Sequence, residues 1–430
     1  MMGISAEKPE IMGLSVRRSN NPPDCTLHRL SVLDSSAVAG VIPGSAAEQR
    51  PQAQSTPYTP REVKRVAVIG SGHYHATAAP GYLKILQDLD LEIVGVHDFD
   101  PALAKSRADR VNSTPYFDYR DMCEKTKPDF VLSLCRHDKM SEPIRYLINA
   151  GVPFMAEKPW GTDPAVVNEL AELAETKKAW ATFPAPMRYS QWAQTCRDMV
   201  QNNELGPISH IIVRFNQPGV QRYIDEDSAW MLSKKEAGGG ALLNLGIHGF
   251  DLCAYITGEE PKVVAASTSH GLFNLGIEDY AFVTLRTPSG IVFINEAGYT
   301  YPANGSDSQR LLTAKNFVVG TPGNVGTLFG AGSGLGARGT APATTSAMRS
   351  PGEQGRTPRG GGPGDSAQIV GVGRNQIVRA PAGYVGGWPG AVGDAVDRLR
   401  KGLPPAATPR QNARAVSLTF DSYRIAGEKA

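Results

Sequence analysis

The stretch Val66-Ala67-Val68-Ile69-Gly70-Ser71-Gly72 decides the fold of this chain. Its first four residues are apolar and predict a short buried strand, and two glycines follow where a strand would turn into a helix. Gly70 permits a tight turn, and Gly72 lets a phosphate approach the backbone at the helix N-terminus. A helical pattern follows through Tyr82 and Leu86. This order of strand, glycine turn and helix is typical of a dinucleotide-binding domain.

Strand and helix patterns continue to alternate beyond this turn. Further short strands are predicted at Leu91–Val96, Phe130–Leu134 and Val152–Ala156, with helices from Pro101 to about Val111 and from Glu142 to Ala150. Alternation of this kind is typical of a parallel sheet that is covered by helices on both faces. We therefore predict a Rossmann domain, a doubly wound parallel sheet, over residues 62–185.

The pattern changes after about residue 206, where strands follow one another with fewer helices between them. The predicted strands are Ile208–Phe215, Val263–Thr268, Tyr280–Arg286 and Ile291–Tyr299, and one helix is predicted at Ala241–Ile256. Further helices are predicted at Trp388–Lys401 and Arg410–Ala426. We predict a C-terminal α/β domain over residues 186–427, built on a mostly antiparallel sheet.

Two segments have a composition that does not suit a packed core. Residues 1–61 are polar, which predicts a disordered leader or a misassigned start codon. Arg17-Arg18 could belong to an export signal, but the apolar segment that such a signal needs after them is interrupted. Fourteen of the 46 glycines fall within residues 320–364, which lie inside a predicted low-complexity segment at 320–370. That segment is either a disordered insertion or the product of a shifted reading frame.

Charge and cysteine content exclude several classes of function. Lys and Arg total 44 against 42 Asp and Glu, and a net charge of +2 argues against a nucleic-acid partner. No apolar run is long enough to span a membrane. The five cysteines are scattered without a CxxC pair, which favours a reducing, cytoplasmic location over a disulfide scaffold. The eight histidines show no familiar ligand spacing with cysteine or carboxylate, so we predict no metal site.

Asp98 strengthens the case for a nucleotide cofactor. It ends the second predicted strand, where a carboxylate accepts hydrogen bonds from ribose hydroxyls and repels a 2′-phosphate. Phe99 follows in place of an arginine or serine, so we expect NAD, with NADP as the alternative. His75 stands where the third glycine of the GxGxxG fingerprint would be, which leaves the match incomplete.

Two further sets of residues suit proton and hydride chemistry. Lys158, in Glu157-Lys158-Pro159, follows a predicted parallel strand and would point into the ligand crevice, where its ammonium could polarise a hydroxyl or carbonyl. Asn244 and His248 are four residues apart, so a helix places them on one face. A histidine there can take a proton as hydride leaves the same carbon, although an isolated lysine or histidine more often has a structural role.

Taken together, these motifs resemble the Gfo/Idh/MocA family of NAD(P)-dependent oxidoreductases, which includes sugar and inositol dehydrogenases. The resemblance covers about residues 63–300 and rests on the glycine turn, Asp98, Ala156–Pro159, Arg188-Tyr189, Trp230 and the stretch from Gly238 to Asp251. It implies hydride transfer between NAD(P) and the carbinol carbon of a sugar, cyclitol or related polyol. It also implies that the sheet of the C-terminal domain is large and open and serves substrate binding and oligomerisation. The expected homo-oligomer is a dimer or tetramer.

The resemblance further implies roles for individual residues. Lys158 matches the catalytic lysine and His248 the catalytic histidine, the expected general base for oxidation. Asn244 stands where cyclitol dehydrogenases often have Asp, which puts an Asp–His relay in doubt. The residues expected at the cofactor are Gly70, Ser71, Gly72, His73, Tyr74, Asp98, Leu134, Arg136, Glu157, Lys158 and Arg188. Those expected at the substrate are Lys158, Tyr189, Trp230, Asn244 and His248, with Asn216 as a further candidate.

Two other functions stay open at this point. Some proteins that resemble this family use tightly held NAD for glycoside hydrolysis, although no additional base is identifiable here. A non-catalytic nucleotide-binding regulator would need the glycine turn but neither Lys158 nor His248, and both are present. The sequence therefore favours a dehydrogenase.

Overall fold

The computed structural model of the protein describes residues 58–78, 81–301, 307–322, 366–371, 374–381 and 384–428. All of them belong to one unit, Ser55–Ala430. The predicted leader, except for residues 58–61, and most of the predicted glycine-rich segment lie outside the described residues. At the edges of that segment, residues 320 and 366–370 belong to strands of the second sheet.

The first sheet has six parallel strands in the order β3-β2-β1-β4-β5-β6. Their bounds are Arg65–Ile69 (β1), Glu92–His97 (β2), Pro115–Tyr116 (β3), Phe130–Ser133 (β4), Phe154–Ala156 (β5) and Ala181–Thr182 (β6). The helices between them are Tyr82–Asp88 (α1), Pro101–Arg110 (α2), Tyr119–Thr126 (α3), Ser141–Ala150 (α4) and Pro164–Thr176 (α5). The predicted Rossmann architecture is confirmed.

The glycine turn follows β1 directly because its first residue, Gly70, adopts a backbone conformation that residues with a side chain rarely adopt. Gly70 has φ +73°, and a Cβ placed on it would lie 2.6 Å from the Cα atom of Cys135. The turn is also tied to the sheet, since the Gly70 amide donates to the carbonyl of His97 at 2.8 Å. A side chain here would therefore force the turn away from the carboxyl ends of β1 and β4.

The second sheet has eight strands in the order β14-β13-β12-β11-β7-β10-β9-β8. Their bounds are Ile208–Pro218 (β7), Lys262–Ser269 (β8), Tyr280–Arg286 (β9), Val292–Tyr301 (β10), Asp307–Ala314 (β11), Phe317–Gly320 (β12), Ser366–Gly371 (β13) and Arg374–Arg379 (β14). Neighbouring strands are antiparallel except β7 and β10, which are parallel. The predicted open, mostly antiparallel sheet is confirmed.

Helices connect this sheet to the Rossmann domain. They are Gln191–Gln201 (α6), Gln221–Asp225 (α7), Lys234–Ala237 (α8), Ile247–Thr257 (α9), Gly387–Arg400 (α10) and Pro409–Ala426 (α11). A π-helical turn, Leu242–Gly246, precedes α9 where one continuous helix was predicted. Although α10 comes late in the chain, its buried residues Val392 and Val396 share a core with Val66 and Leu86. The Rossmann core therefore includes a helix from the predicted C-terminal domain.

Candidate active site

The glycine turn is closed by the carboxylate of Asp98. One carboxylate oxygen accepts from the amides of Ser71 at 2.6 Å and Gly72 at 2.8 Å, and the other accepts from the amide of Asp100 at 2.9 Å. The Ser71 hydroxyl also lies 3.4 Å from the first of these oxygens, so a ligand hydroxyl would reach the other oxygen, which accepts a single hydrogen bond from the described residues. The turn, the start of the following helical segment and Asp98 thus suit a dinucleotide.

A cavity of about 320 Å³ opens beside this turn, between Asp98 and Trp230. The Trp230 indole N–H donates to the carbonyl of Gly72 at 3.2 Å, so Trp230 lies over the predicted cofactor loop. Arg136 lines the same cavity, with its guanidinium paired to Asp138 at 2.9 Å and to Glu236 at 2.6 Å. The side chain of Leu134 is buried in the Rossmann core, and its amide donates to the Ile69 carbonyl. Leu134 can therefore meet a cofactor only through its backbone.

Lys158 lies at the centre of the predicted catalytic residues. Its side chain is 1% exposed, and Nζ donates to both the backbone carbonyl of Asn244, at 2.9 Å, and the amide Oδ1 of Asn244, at 2.6 Å. The Asn244 Nδ2 in turn donates to the Tyr223 hydroxyl at 2.6 Å. The structure thus brings the Glu-Lys-Pro motif to the helix that carries Asn244 and His248, although 86 residues separate Lys158 from Asn244.

Burial sets the charge state of this lysine. Desolvation lowers the pKa of Lys158 to about 8; Glu157 opposes this shift, and the positive charge of Arg222 adds to it. The guanidinium of Arg222 lies over the rings of Tyr223, 4.7 Å from its centroid, and Tyr74, 5.9 Å from its centroid. Lys158 can therefore change its protonation state near neutral pH, as proton-transfer chemistry requires.

His248 lies on the same helical segment as Asn244 and is buried. Desolvation, together with the positive charge of Lys158, lowers the pKa of His248 to about 3. Among the residues that the structure describes, its ring makes no hydrogen bond; it packs edge-on against Trp388, with centroids 6.0 Å apart. His248 is therefore neutral at physiological pH, and Asn244 is engaged by Lys158 and Tyr223.

A second group of histidines surrounds Glu157. His73, His75 and Glu157 each place a possible metal-ligand atom within 4.8 Å of the other two. The sequence predicted no metal site and did not indicate this cluster. These atoms are joined by hydrogen bonds: His73 Nδ1 accepts from the His75 amide at 3.1 Å, and His75 Nδ1 lies 2.8 Å from Glu157 Oε1. Tyr74 packs edge-on against Tyr223, 5.3 Å away.

Arg188 and Tyr189, which were predicted at the cofactor and the substrate, are hydrogen-bonded to other parts of the chain. Arg188 is buried and forms a two-point ion pair with Asp251, at 2.8 and 2.5 Å, and it also donates to the Ala406 carbonyl and to Gln411. The Tyr189 hydroxyl donates to Asp394 at 2.7 Å. These partners link Arg188 and Tyr189 to α9, α10 and the start of α11, and their places at the cofactor and the substrate stay predictions.

The side chain of Asn216 is hydrogen-bonded within the second sheet. Its side-chain oxygen accepts from the amide and the hydroxyl of Thr300 on the neighbouring part of the second sheet. A larger cavity, about 720 Å³, lies elsewhere, between Glu278, Tyr423 and the glycines that precede the π turn. None of Lys158, Asn244 and His248 lines it, so volume alone does not locate the chemistry.

Comparisons with known proteins agree with this geometry. A model described as an oxidoreductase family with an NAD-binding Rossmann fold matches residues 64–183, and one described as the GFO/IDH/MocA C-terminal domain matches residues 193–325. Together they match more than half of the chain. The chain belongs to the Gfo/Idh/MocA family. The predicted resemblance and the prediction of an NAD-binding Rossmann domain are confirmed.

Several curated relatives of this Gfo/Idh/MocA chain are named as dehydrogenases. The D-glucoside 3-dehydrogenase of Escherichia coli (strain K12) is 28% identical over 222 residues, which cover 50% of this chain and 59% of that protein. The myo-inositol 2-dehydrogenase of Thermotoga maritima is 28% identical over 241 residues, which cover 53% of this chain and 66% of that protein. Each of these matches spans less than two thirds of the relative's length.

Solved structures share the fold over most of the chain. GenD2 from gentamicin A biosynthesis, in complex with NAD, has a TM-score of 0.64 at 20% identity and covers 86% of this chain and 96% of its own. The aldose-aldose oxidoreductase of Caulobacter crescentus has a TM-score of 0.63 at 17% identity and covers 85% and 98%. At these identities the likeness establishes the fold alone. Among the described residues, no helix has the length and apolar character of a membrane span.

Several residues at the site were not found from the sequence. Tyr223 accepts from Asn244, Tyr82 donates to Glu157 at 2.8 Å, and Trp388 packs against both His75 and His248. Tyr223 lies in a segment for which no element was predicted, and Trp388 begins a predicted helix that no motif links to the site. The His73-Tyr74-His75 run was visible, but its partner Glu157 follows 82 residues after His75.

Proposed function

We propose that the protein is an NAD-dependent oxidoreductase that transfers a hydride between the nicotinamide and the carbinol carbon of a sugar, cyclitol or related polyol. Family membership and the named relatives support the class of reaction. The buried group formed by Lys158, Asn244 and His248 supports its place in the molecule. When bound, NAD would supply the hydride acceptor.

The proposal rests on the two hydrogen bonds that the Lys158 side chain donates to Asn244. Asn244 accepts two hydrogen bonds from Nζ, at 2.9 and 2.6 Å. An ammonium group has three hydrogens, so one is left to donate to a substrate carbonyl oxygen. The neutral amine has two, so its lone pair is left to accept the proton of a substrate hydroxyl. With a pKa of about 8, Lys158 can serve both directions of the reaction.

Asn244 and His248 have supporting roles in this proposal. Asn244 holds the Nζ atom in place, and its own amide is fixed by Tyr223. His248 is neutral, because burial holds its pKa far below the ordinary value, and it offers a hydrogen-bonding ring to the substrate. An uncharged histidine beside a cationic lysine avoids the repulsion that a second positive charge would cause.

The residues around the glycine turn fit NAD better than NADP. The Gly70–Gly72 turn would approach the pyrophosphate, and Asp98 would accept from a ribose hydroxyl. The carboxylate of Asp98 repels a 2′-phosphate. Two cations, Arg136 and Lys139, line that cavity, and Arg136 is paired with Asp138 and Glu236. We therefore propose NAD as the working cofactor.

Absorbance at 340 nm tests this function. The wild-type chain is mixed with NAD, then NADP, and a panel of sugars, inositols and other polyols. We expect NADH formation with at least one polyol, and a loss of roughly 10²- to 10⁴-fold in Lys158→Met, which keeps the side-chain volume but cannot transfer a proton. Calorimetry that finds neither NAD nor NADP bound to the wild-type chain would refute the proposal.

We propose a small-molecule substrate, a homo-oligomer of two or four chains, and a cytoplasmic location. Native mass spectrometry of the purified protein would report the oligomer and any retained cofactor together. A single-chain mass at working concentration would contradict the predicted oligomer.

A further inference from the structure

Arg222, in α7, is a half-buried arginine to which the described part of the chain gives no acidic partner. Its Nη1 donates to Oε1 of Gln217 and its Nη2 to the hydroxyl of Tyr223, each at 2.7 Å. Both of these acceptors are uncharged. Its Nε is buried and makes no hydrogen bond within the described residues. Of the five N–H groups of the guanidinium, three are therefore left to donate to a ligand.

The surroundings of this guanidinium attract a positive charge without neutralising it. The guanidinium carbon lies 4.7 Å from the ring centroid of Tyr223 and 5.9 Å from those of Tyr74 and Tyr299. The face of an aromatic ring stabilises a cation, but it carries no net charge. Arg214, which is also half-buried, is instead paired with Glu296 at 2.7 Å and Asp307 at 3.1 Å. Arg222 thus keeps a positive charge that an anion could neutralise.

A chain of hydrogen bonds connects Arg222 to the candidate catalytic group. The Tyr223 hydroxyl that accepts from Arg222 also accepts from Nδ2 of Asn244, at 2.6 Å. Oδ1 of the same amide accepts from Nζ of Lys158, at 2.6 Å. A single hydroxyl oxygen therefore stands between Arg222 and the side chain that holds Lys158. A polyol whose carbinol oxygen meets Lys158 can extend a second group towards Arg222.

We propose that Arg222 binds a carboxylate of the substrate, so that the polyol which is oxidised is a sugar acid or a related hydroxy acid. This inference rests on the proposed function and names its substrate class. Two N–H groups of a guanidinium suffice for a two-point contact with a carboxylate, and Arg222 has three to offer. One carboxylate also matches its single positive charge. A phosphate ester, with a charge of about −1.5 to −2 at pH 7, would leave excess negative charge beside Arg222.

A contact of this kind would set the specificity of the site. A site built to bond a polar group of the substrate rejects an analogue that lacks the group, because its own buried donors are then left unpaired. A neutral sugar would leave Arg222 in that condition. A hydrogen bond to a charged group contributes about 1.5 to 3 kcal/mol, so kcat/KM for an acid should exceed that of its neutral counterpart roughly 10- to 150-fold.

Matched pairs of substrates test this inference. The pairs are D-glucuronate with D-glucuronamide, D-galacturonate with D-galactose, and D-gluconate with D-sorbitol. Oxidation by the wild-type chain with NAD is followed at 340 nm. We expect at least one acid to be preferred to its neutral counterpart by roughly tenfold or more in kcat/KM. D-Glucose 6-phosphate in the same assay distinguishes a phosphate from a carboxylate, and we expect it to be oxidised less well than the preferred acid.

Substitution of Arg222 tests the residue itself. In Arg222→Gln the acid-to-neutral ratio of kcat/KM should fall roughly 10- to 150-fold. This ratio cancels any effect of Arg222 on Lys158, because both members of a pair meet the same lysine. Arg222→Lys, which keeps the charge but loses the two-point geometry, should keep part of the preference. The matched control is Arg214→Gln, since the charge of Arg214 is already paired within the second sheet, and its ratio should stay at the wild-type value.

Thermal unfolding and NADH affinity are measured first, so that a misfolded variant is recognised. An unchanged acid-to-neutral ratio in a folded Arg222→Gln chain would overturn the inference. A wild-type chain that oxidises neutral polyols and prefers none of the acids would do the same, as would a preference for D-glucose 6-phosphate over every acid. If no member of any pair is oxidised and no NAD is bound, the proposed function is refuted, and the assignment of Arg222 falls with it.

Discussion

Replacing Asn244 with Asp is the sharpest test of how Lys158 is tuned. The Asn244 Oδ1 lies 2.6 Å from Nζ, so Asn244→Asp would place a carboxylate in direct contact with a buried amine. An opposite charge at this distance favours the charged form of lysine. The Tyr223 hydroxyl, which now accepts from the Asn244 amide, can turn to donate to the new carboxylate. The substitution therefore changes charge while keeping the contacts.

The size of the effect follows from the pKa of Lys158. A close opposite charge shifts a pKa by roughly 1 to 3 units, and each unit corresponds to about 1.36 kcal/mol. From about 8, the pKa of Lys158 would rise to roughly 9 to 11. Oxidation needs the neutral amine, so its rate at pH 7 should fall roughly 10- to 1,000-fold as that form becomes scarcer. Reduction, which needs the ammonium, should keep its rate to higher pH.

The assay is the pH dependence of kcat/KM for polyol oxidation, followed at 340 nm from pH 6 to 10.5. In the wild-type chain we expect the rate to rise with pH up to about 8 and then level off, because protonated Lys158 cannot accept the hydroxyl proton. In Asn244→Asp the rise should continue to higher pH. Tyr223→Phe is the matched control, because it removes a contact of Asn244 without adding a charge and should leave the midpoint near 8.

A midpoint that stays near 8 in Asn244→Asp would refute the assignment of that ionisation to Lys158. So would a shift to lower pH. Thermal unfolding and NADH affinity of both variants should be compared first, so that a misfolded variant is not counted as a kinetic result. A wild-type profile that is flat from pH 6 to 9 would equally contradict the role of Lys158.

Three further predictions concern the framework around the site. Arg188→Met leaves Asp251 as an unpaired buried charge and should lower the free energy of unfolding, measured with denaturant, by about 3 to 5 kcal/mol. Adding Asp251→Leu to the same chain should recover most of that loss. Loss of NADH binding without loss of stability would instead make Arg188 a cofactor ligand. Gly70→Ala brings a methyl group to within 2.6 Å of Cys135 and should weaken NADH binding in calorimetry at least tenfold, an effect that an unchanged affinity would disprove. Asp98→Asn removes the negative charge at the ribose and should raise the ratio of NADP to NAD affinity; an unchanged ratio would show that another group sets the preference.

Much of the fold could be predicted from local patterns. The run Val66–Ile69 followed by Gly70 specifies a strand and a turn, because apolar residues and a positive φ are properties of a short segment. The strand Tyr280–Arg286 was placed at its observed bounds for the same reason. The π turn at Leu242–Gly246 could not be predicted, since its residues also suit an ordinary helix and the difference lies in their tertiary contacts.

The candidate site was predictable in its residue types and less so in its contacts. Lys158, Asn244 and His248 stood out because they match motifs, and the structure brings Lys158 to Asn244. Arg188 matched a motif as well, but Asp251, with which it forms an ion pair, lies 63 residues further along the chain. This ion pair is visible only in the folded chain. A motif therefore identifies a position, whereas the hydrogen bonds of the folded chain decide what that position has left to offer a ligand.

The same reasoning separates the two histidines that lie against Trp388. The sequence favoured His248, because a helix would stack it one turn from Asn244. In the structure the Asn244 side chain is engaged by Lys158 and Tyr223, so His248 has no orienting group from that residue. His75, which the sequence treated as a defect in the glycine fingerprint, has a buried carboxylate on Nδ1. The helical spacing therefore indicated one ring, whereas the hydrogen bonds among the described residues orient the other.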